Sequence, residues 1–88
     1  MADKMFYVYI LQSLKDKKLY IGYSSNLKRR LQEHKTGSSF STKSRLPFEL
    51  ICYEAFRSAD DARRRESYFK SSKGKSTLKQ MLRNSFII

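Results

Sequence analysis

The chain has 88 residues, of which 19 are Lys or Arg and 8 are Asp or Glu, so its formal net charge at pH 7 is +11. Hydrophobic residues make up 40% and aromatic residues 14%, which is too apolar for a disordered tail and predicts one small domain over residues 1–88. No stretch approaches the roughly 18 apolar residues of a membrane span, and we expect no secretory signal. The single cysteine, Cys52, excludes an internal disulfide and favours a cytoplasmic protein.

The charge imbalance is the first indication of function. A strongly positive surface attracts polyanions and accelerates their encounter with the protein. Nucleic acid is the favoured polyanion, and an anionic membrane surface is the second class that charge alone allows. Solubility does not require so one-sided a charge, so we expect a protein that binds nucleic acid.

The first two predicted elements form a β-hairpin. Residues 6–11 are an unbroken run of aromatic, β-branched and aliphatic residues, which predicts a strand. Residues 13–18 are polar and turn-like, and residues 19–23 predict the returning strand. Gly22 interrupts that second strand, which indicates a bulge or a close approach to the backbone.

A helix, a long loop and a third strand follow the hairpin. Asn26 predicts the N-cap of a first helix, which ends at Gly37. Residues 36–47 are rich in Ser and Thr and are long enough to indicate a functional loop. Residues 48–56 then predict the third strand. Three alternate residues of that strand are predicted to share one face: Phe48, Leu50 and Cys52.

Two further helices complete the predicted fold. Ser58 or Asp60 would cap a second helix that runs to about residue 71 and is broken by Gly74. A last helix is predicted over about residues 76–83, and the apolar residues 86–88 follow it. We expect this tail to pack on the domain's own sheet, the alternative being that it docks on a partner.

The order β-β-α-β-α-α predicts an α+β domain. Its three-stranded antiparallel sheet consists of the hairpin and the third strand, and helices flank the sheet. The core is expected over about residues 6–70, with the C-terminal helix and tail over about residues 74–88.

Two familiar kinds of site are disfavoured. Residues 73–76 look like the end of a phosphate-binding loop, but that motif needs a glycine where the chain has Phe69, within a predicted helix. Cys52 and His34 have the chemistry of a nucleophile and its base. Because Cys52 alternates with core residues on a predicted strand, a buried inert thiol is favoured instead.

Three polar residues occupy otherwise apolar faces. Arg30 and His34 lie four residues apart on the first helix, beside its apolar stripe. Arg30 either belongs to a site at the sheet edge or packs the aliphatic part of its side chain on the core while its guanidinium stays in water. Glu66 falls between Ala62 and Phe69 on the apolar face of the second helix. A carboxylate there is costly unless it pairs with a cation, either a metal ion or a basic side chain such as Arg30, Arg63 or Lys70.

Whether two tyrosines of the hairpin face the same side of the sheet depends on whether the turn has an even or an odd number of residues. If the loop has an even number of residues, paired positions have an odd sum, and Tyr9 and Tyr20 then face the same side of the sheet. An odd loop would place them on opposite faces and weaken the case for a joint site.

These residues resemble the signature of the GIY-YIG nuclease superfamily, which includes the N-terminal nuclease domain of an excinuclease and small stand-alone domains. Tyr7-Val8-Tyr9 followed by Tyr20-Ile21-Gly22 is similar to the paired triplets of that family. Arg30 matches its arginine, and His34 follows where some members have His and others Tyr. The segment 65–70 resembles the helix that bears the family's metal-binding glutamate. Two features depart from the pattern, namely Tyr7 in place of a glycine and the absence of a clear counterpart for a late asparagine.

The resemblance implies hydrolysis of a nucleic-acid phosphodiester with one divalent ion, Mg²⁺ or Mn²⁺. Glu66 would hold the metal, and Tyr20 would act as general base on the attacking water, with Tyr9 positioning that water or sharing its proton. A phenol is a weak base near neutral pH, so a nearby positive charge is needed, and Arg30 and the metal would supply it. Arg30 would also neutralise charge on the phosphate, and His34 would bond the phosphate or a tyrosine hydroxyl.

The remaining expectations concern the substrate. Gly22 would let the substrate approach the backbone, and Lys43 and Arg45 in the Ser/Thr-rich loop would bind flanking phosphates. DNA is favoured over RNA, and specificity is expected to come from nucleic-acid shape or from a partner protein. The chain is expected to be a monomer or a weak homodimer. The alternative function is a basic module that binds nucleic acid without cleaving it.

Overall fold

A computed structural model describes residues 4–87 of the chain. Within these residues the order is β-β-α-β-α-α, as the sequence predicts, and the fold is α+β. The elements in chain order are β1 (Phe6–Ser13), β2 (Leu19–Ser24), α1 (Leu27–Lys35), β3 (Phe48–Phe56), α2 (Ala59–Lys70) and α3 (Ser72–Met81), with a 3₁₀ turn at Lys43–Arg45 before β3.

The sheet places β1 in the centre, with β2 and β3 antiparallel on either side of it. Tyr9 pairs with Gly22 and Leu11 pairs with Tyr20. Paired positions therefore have an odd sum, so Tyr9 and Tyr20 share one face. The condition on which a joint tyrosine site depended is met.

The predicted alternation along β3 is wrong, because a bulge interrupts it. Ile10 pairs with Cys52 and the next residue, Leu11, pairs with Leu50, so Ile51 is the extra residue. Since neighbouring residues of β1 face opposite sides, Cys52 and Leu50 also face opposite sides. Cys52 packs against the core, and burial raises the pKa of its thiol, in line with an inert side chain.

The hydrophobic core lies between one face of the sheet and the helices α2 and α3. Its fully or nearly fully buried members come from both strands and helices: Val8, Ile10, Ile21, Ala62, Phe69, Leu78 and Leu82. The other face carries Tyr9 and meets α1 at His34, which is itself buried. The sheet therefore packs an apolar face against α2 and α3, and its opposite face presents Tyr9 to His34 of α1.

Gly74 does not break a helix, contrary to the sequence prediction. Helix α2 ends one turn earlier, and Ser71 caps α3 by accepting a hydrogen bond from the Gly74 backbone N–H at 3.0 Å. A Cβ atom on Gly74 would lie only 1.7 Å from the carbonyl oxygen of Tyr68. Gly74 is thus required by the close packing of α3 on the end of α2, which explains why α3 begins at Ser72 rather than near residue 76.

The other predicted helix signals are confirmed. The Asn26 side chain caps α1 by accepting a hydrogen bond from the Arg29 backbone N–H, and Gly37 follows the end of that helix with a φ of +79°. Ser58 occupies the N-cap position of α2, as one of the two predicted candidates, but its side chain makes no capping hydrogen bond.

The C-terminal tail packs on its own domain. Phe86 lies against the core. Gln12 of β1 accepts a hydrogen bond from the Ile87 backbone N–H at 2.7 Å and donates one to its carbonyl oxygen at 3.3 Å. Ile88 lies outside the described residues. Of the helices within residues 4–87, none has the length and hydropathy to cross a membrane.

Candidate active site

The site is built around Tyr9, whose side chain is completely buried on the central strand. Its ring lies across Gly22 of the neighbouring strand. A Cβ atom at Gly22 would lie 2.3 Å from Cζ of Tyr9 and 2.4 Å from its hydroxyl oxygen. The close approach to Gly22 that the sequence indicates is therefore made by Tyr9. The predicted contact of Gly22 with nucleic acid remains a prediction.

We expect Gly22→Ala to destabilise the protein by about 1–3 kcal/mol, because the added methyl group overlaps the Tyr9 ring. Urea unfolding measures this change. In a Tyr9→Leu background the overlapping ring atoms are absent, so the same alanine should cost much less. An equal cost in both backgrounds would show that the ring is not what excludes a side chain at Gly22.

His34 holds the Tyr9 hydroxyl from the side of α1. Its Nε2 lies 2.8 Å from the Tyr9 hydroxyl oxygen, and its Nδ1 lies 2.7 Å from Oγ1 of Thr42 in the loop after α1. Burial, assisted by the charge of Arg30, lowers the pKa of His34, which favours the neutral ring. Of the two partners the sequence suggested for His34, a phosphate or a tyrosine hydroxyl, the structure has the hydroxyl.

Thr42 is a residue of the candidate site that the sequence did not single out. Its side chain is completely buried, and its contact with Nδ1 fixes the orientation of the His34 ring. The signal was the Ser/Thr-rich loop itself, but nothing in that loop distinguishes Thr42 from its neighbours before the chain is folded.

Tyr9 is held in its neutral form. Burial is the main cause that raises the pKa of Tyr9 to about 12, and the charges of Tyr20 and Glu66 act in the same direction, while Arg30 opposes them. A neutral Tyr9 can donate its proton to His34 and still accept a hydrogen bond from Arg30. Tyr9 is therefore suited to positioning other groups and poorly suited to removing a proton.

The free energy of unfolding should fall as the pH rises from about 10 to about 12. Unfolded Tyr9 releases its proton near pH 10, whereas the folded protein retains it to about 12, so the folded state binds more protons in that interval. Urea unfolding at several alkaline pH values measures the slope. Tyr9→Phe should reduce the slope, and an unchanged slope in this variant would exclude Tyr9 as its source.

Tyr20 is the accessible tyrosine of the pair. Its ring centroid lies 6.3 Å from that of Tyr9 and 5.2 Å from that of His34. Its hydroxyl is at the surface and has only a long contact, 3.4 Å, with Oγ of Ser41. The two tyrosines thus differ in environment, since Tyr9 is enclosed and Tyr20 can reach solvent.

Arg30 joins the same cluster from α1. Its Nη1 donates to Oε1 of Glu33 at 2.8 Å, with 32% of the Arg30 side chain exposed. The hydrogen bond to Glu33 is the main cause of the raised pKa of Arg30, and contact with the Tyr9 hydroxyl acts in the same direction. Both sequence readings of Arg30 are therefore partly met: it reaches the site and keeps access to water. Glu33, three residues along the same helix, was not singled out from the sequence.

Glu66 approaches the cluster from α2. Only 21% of its side chain is exposed, and its Oε2 lies 3.0 Å from Nζ of Lys70. Lys70 is thus the basic partner among the three that the sequence suggested, while Arg63 stacks on the Tyr23 ring at 4.9 Å. The charge of Glu66 is near enough to raise the pKa of Tyr9. This carboxylate therefore acts electrostatically on Tyr9 from a helix that packs against the core.

The donor set suits a divalent ion that keeps most of its water. Within the part of the chain that the structure describes, no three His, Cys, Asp or Glu residues form a metal-binding group. Mg²⁺ is commonly held by one or two carboxylates together with waters and substrate phosphates. Glu66 is partly shielded and its Lys70 partner is 55% exposed, so the carboxylate can exchange that lysine for a metal ion.

The two predicted phosphate-binding residues of the loop differ in availability. Lys43 is exposed and lies 5.6 Å from the ring of Phe40, which is itself 86% exposed. Arg45 instead donates from Nε to Oδ2 of Asp16 at 3.0 Å and lies over Phe48. The Arg45 hydrogen bond is the main cause that lowers the pKa of Asp16 to about 2. Arg45 is thus committed to a contact within the protein, whereas Lys43 is free to meet a ligand.

The chain is similar to known proteins over most of its length. Residues 5–80 match the family model of the GIY-YIG catalytic domain. UPF0213 proteins from Streptococcus pyogenes serotypes M3 and M1 are 42% identical over 77 residues, covering 86% of this chain and 83% of theirs. A solution NMR structure of a UPF0213 protein from Bacillus halodurans is 36% identical, with a TM-score of 0.56 over 88% of this chain and 84% of that one. The chain is therefore a member of the GIY-YIG family.

Proposed function

We propose that the chain is a metal-dependent endonuclease that hydrolyses a phosphodiester bond of nucleic acid, with DNA favoured over RNA. The family is one of nuclease domains, and the net charge of +11 suits a polyanionic substrate. One observation carries the proposal: β1, β2 and α1 bring Tyr9, Tyr20 and His34 into hydrogen-bond and ring contact, and the charges of Arg30 and Glu66 are near enough to act on the pKa of Tyr9.

Tyr20 is assigned the role of general base. Its hydroxyl reaches the surface, where an attacking water and a substrate phosphate can approach, whereas that of Tyr9 is enclosed. In its phenolate form Tyr20 takes a proton from the water as the water attacks phosphorus. Arg30 lies within electrostatic range of Tyr20, so its charge is placed to stabilise the negative charge that develops as the water attacks phosphorus.

Tyr9 and His34 are assigned positioning roles. The neutral Tyr9 hydroxyl is hydrogen-bonded to Nε2 of His34 at 2.8 Å, which fixes its direction, and the Arg30 charge is near enough to act on it. Thr42 fixes His34 in turn. A rigid hydroxyl at this point fixes Arg30 and the neighbouring Tyr20 ring without ionising, and so positions the attacking water indirectly, which lowers the entropy lost on reaching the transition state.

Arg30 and Glu66 are assigned the electrostatic roles. The partly exposed Arg30 guanidinium stabilises negative charge on the phosphate oxygens in the transition state. Glu66 would hold one Mg²⁺ or Mn²⁺, which when bound supplies a Lewis acid at the scissile phosphate and leaving oxygen. Lys70, the exposed partner of Glu66, can swing to solvent when Glu66 takes a different cation.

A cleavage assay on pooled DNA and RNA structures tests the proposal. Purified protein is incubated with single-stranded, duplex and branched substrates in Mg²⁺, in Mn²⁺, and in a chelator without metal. We expect the wild-type protein to cleave a substrate only when metal is present, and to cleave it faster than the Glu66→Gln variant does. Retained binding with no cutting under any condition would favour the non-catalytic module instead.

A further inference from the structure

A basic surface lies on the face of β2 that is opposite to Tyr20. It surrounds a cavity of about 770 Å³ between β2, α3 and the C-terminal tail. Apolar side chains form its floor, namely Leu19, Ile21 and Phe86. Five basic side chains form its rim: Lys17, Lys18, Lys75, Lys79 and Arg83. None of these residues belongs to the cluster described above.

The rim carries positive charge without compensation. No acidic residue lines the cavity, and none of the five rim side chains forms a salt bridge to any residue within positions 4–87. The rim side chains are exposed. Like charges around one concave surface repel each other and attract an anion strongly. The cavity therefore suits a ligand with both phosphate groups and an apolar or planar part.

We propose that this cavity binds an unpaired nucleotide of the substrate strand, with its base against the apolar floor and the adjoining phosphates on the basic rim. The inference rests on the proposed function and deepens it, because it names a substrate with unpaired nucleotides close to the bond that is cut.

The position of β2 links the cavity to the tyrosine cluster. Leu19 and Ile21 precede and follow Tyr20 in β2, so their side chains point to the opposite face. β2 is an edge strand of the sheet, and no further strand separates the two faces there. A flexible single strand that passes Tyr20 can therefore turn around the edge of β2 and enter the cavity, whereas a stiff duplex cannot.

The chemistry of the cavity favours a nucleotide over a lipid surface. Its volume lies within the range of about 300–1,000 Å³ that is typical of pockets for small molecules. Leu78 and Leu82 of the α3 region are buried, and Met81 is the large apolar side chain that α3 exposes, which leaves little to insert into a bilayer. Stacking of a base on an aromatic ring such as that of Phe86 tolerates any base.

Gln12, the polar residue at the floor, does not select a base. Its amide donates to the carbonyl oxygens of Lys17 and Ile87, and its oxygen accepts from the Ile87 backbone N–H. Since these bonds use its hydrogen-bonding groups within the protein, we expect binding without a strong preference for base sequence.

Binding of a fluorescent oligothymidylate in metal-free buffer tests the rim. The variant Lys75→Gln/Lys79→Gln is compared with Lys28→Gln/Lys35→Gln, whose lysines are exposed on α1 toward β3. Each variant removes two charges. We expect the Lys75→Gln/Lys79→Gln variant to bind about tenfold more weakly than the wild type. The slope of its log affinity against log salt concentration should be smaller by about 1.4, since each phosphate contact with a single strand contributes about 0.7 to that slope. Equal losses in the two variants would overturn the proposal.

Lys17→Gly tests the rim without risk to the fold. Lys17 has a φ of +62°, a conformation that glycine adopts more readily than lysine, so the variant should fold at least as well. It should nevertheless bind oligothymidylate more weakly, with a flatter salt dependence. Wild-type affinity and salt dependence in this variant would overturn the assignment of Lys17 to the rim.

NMR of the methyl groups of Leu19 and Ile21 tests the floor. Oligothymidylate should shift these signals, and an abasic strand of the same length should shift them much less, because only a base places a ring against the methyl groups. Equal shifts with both strands would overturn the nucleotide pocket. Tight binding to phosphatidylserine vesicles that is lost in Lys75→Gln/Lys79→Gln, with strand binding unchanged, would assign the cavity to a membrane instead.

The failure of this inference can be told from that of the proposed function, because these measurements use no metal and require no cleavage. If the strand occupies the cavity and the chain cuts nothing with metal, the nuclease proposal fails and the pocket stands. If both double variants bind and cut alike, the pocket fails and the nuclease stands.

Discussion

Glu66→Gln should reduce cleavage by at least about a thousandfold while leaving the affinity for nucleic acid unchanged or slightly higher. The substitution keeps the shape of the side chain but removes the charge that would hold the divalent ion, and with it several kcal/mol of transition-state stabilisation, at 1.36 kcal/mol per factor of ten. It also removes one negative charge near the phosphate. Single-turnover cleavage and anisotropy binding, on protein from identical purifications, measure the two effects.

Lys70→Met is the matched control for Glu66→Gln, because it breaks the same ion pair from the other side. The pair is partly exposed and joins residues four apart on one helix, so its loss should cost only about 0.3–0.5 kcal/mol of stability. If Glu66 serves only as the partner of Lys70, the two variants should behave alike. Equal activities in Glu66→Gln and Lys70→Met would therefore refute the metal-binding role.

Tyr20→Phe should lower the cleavage rate by about 10²–10⁴-fold with little change in stability. The Tyr20 hydroxyl is at the surface and has only one long contact, so its removal leaves no buried group unpaired. Tyr9→Phe should lower the stability of the protein more than Tyr20→Phe does, and the cleavage rate less. It leaves the buried ring nitrogen of His34 without its partner, at a cost of about 1–3 kcal/mol.

Unfolding and cleavage measured on both tyrosine variants test this division of roles. The rate loss should be larger in Tyr20→Phe and the loss of stability larger in Tyr9→Phe. A Tyr20→Phe protein that cuts at the wild-type rate with an unchanged pH profile would exclude Tyr20 as the general base. If Tyr9→Phe alone abolished cutting without loss of stability, the base would have to be Tyr9.

Much of the fold could be predicted because its signals are local. The hairpin follows from two apolar runs around a polar turn, and the Asn26 cap follows from a residue type that satisfies helix N–H groups. Pairing parity then decides whether Tyr9 and Tyr20 share a face, which requires only the length of the turn. These features depend on residues that are close in sequence or paired across one hairpin.

Features that depend on contacts between distant elements could not be predicted. Gly74 resembles a helix breaker in sequence, but α3 packs so closely on Tyr68 that glycine is needed within the helix. The bulge at Ile51 places Leu50 and Cys52 on opposite faces of the sheet, where the sequence predicts a shared face. Arg45 looked available for phosphate, yet the turn between β1 and β2 brings Asp16 to it. In each case the deciding partner lies in another element of the fold.

The sequence by itself determined the α+β order, the positive field and the identity of the groups that form the cluster, because residue type and local spacing set these properties. Only the tertiary structure decided how the surroundings of these groups differ. Burial separates the enclosed Tyr9 from the accessible Tyr20, and Thr42 is selected from a uniform Ser/Thr-rich loop by its contact with His34. Solvent access and hydrogen-bond partners exist only when distant segments meet, and these two factors set the chemistry of each side chain.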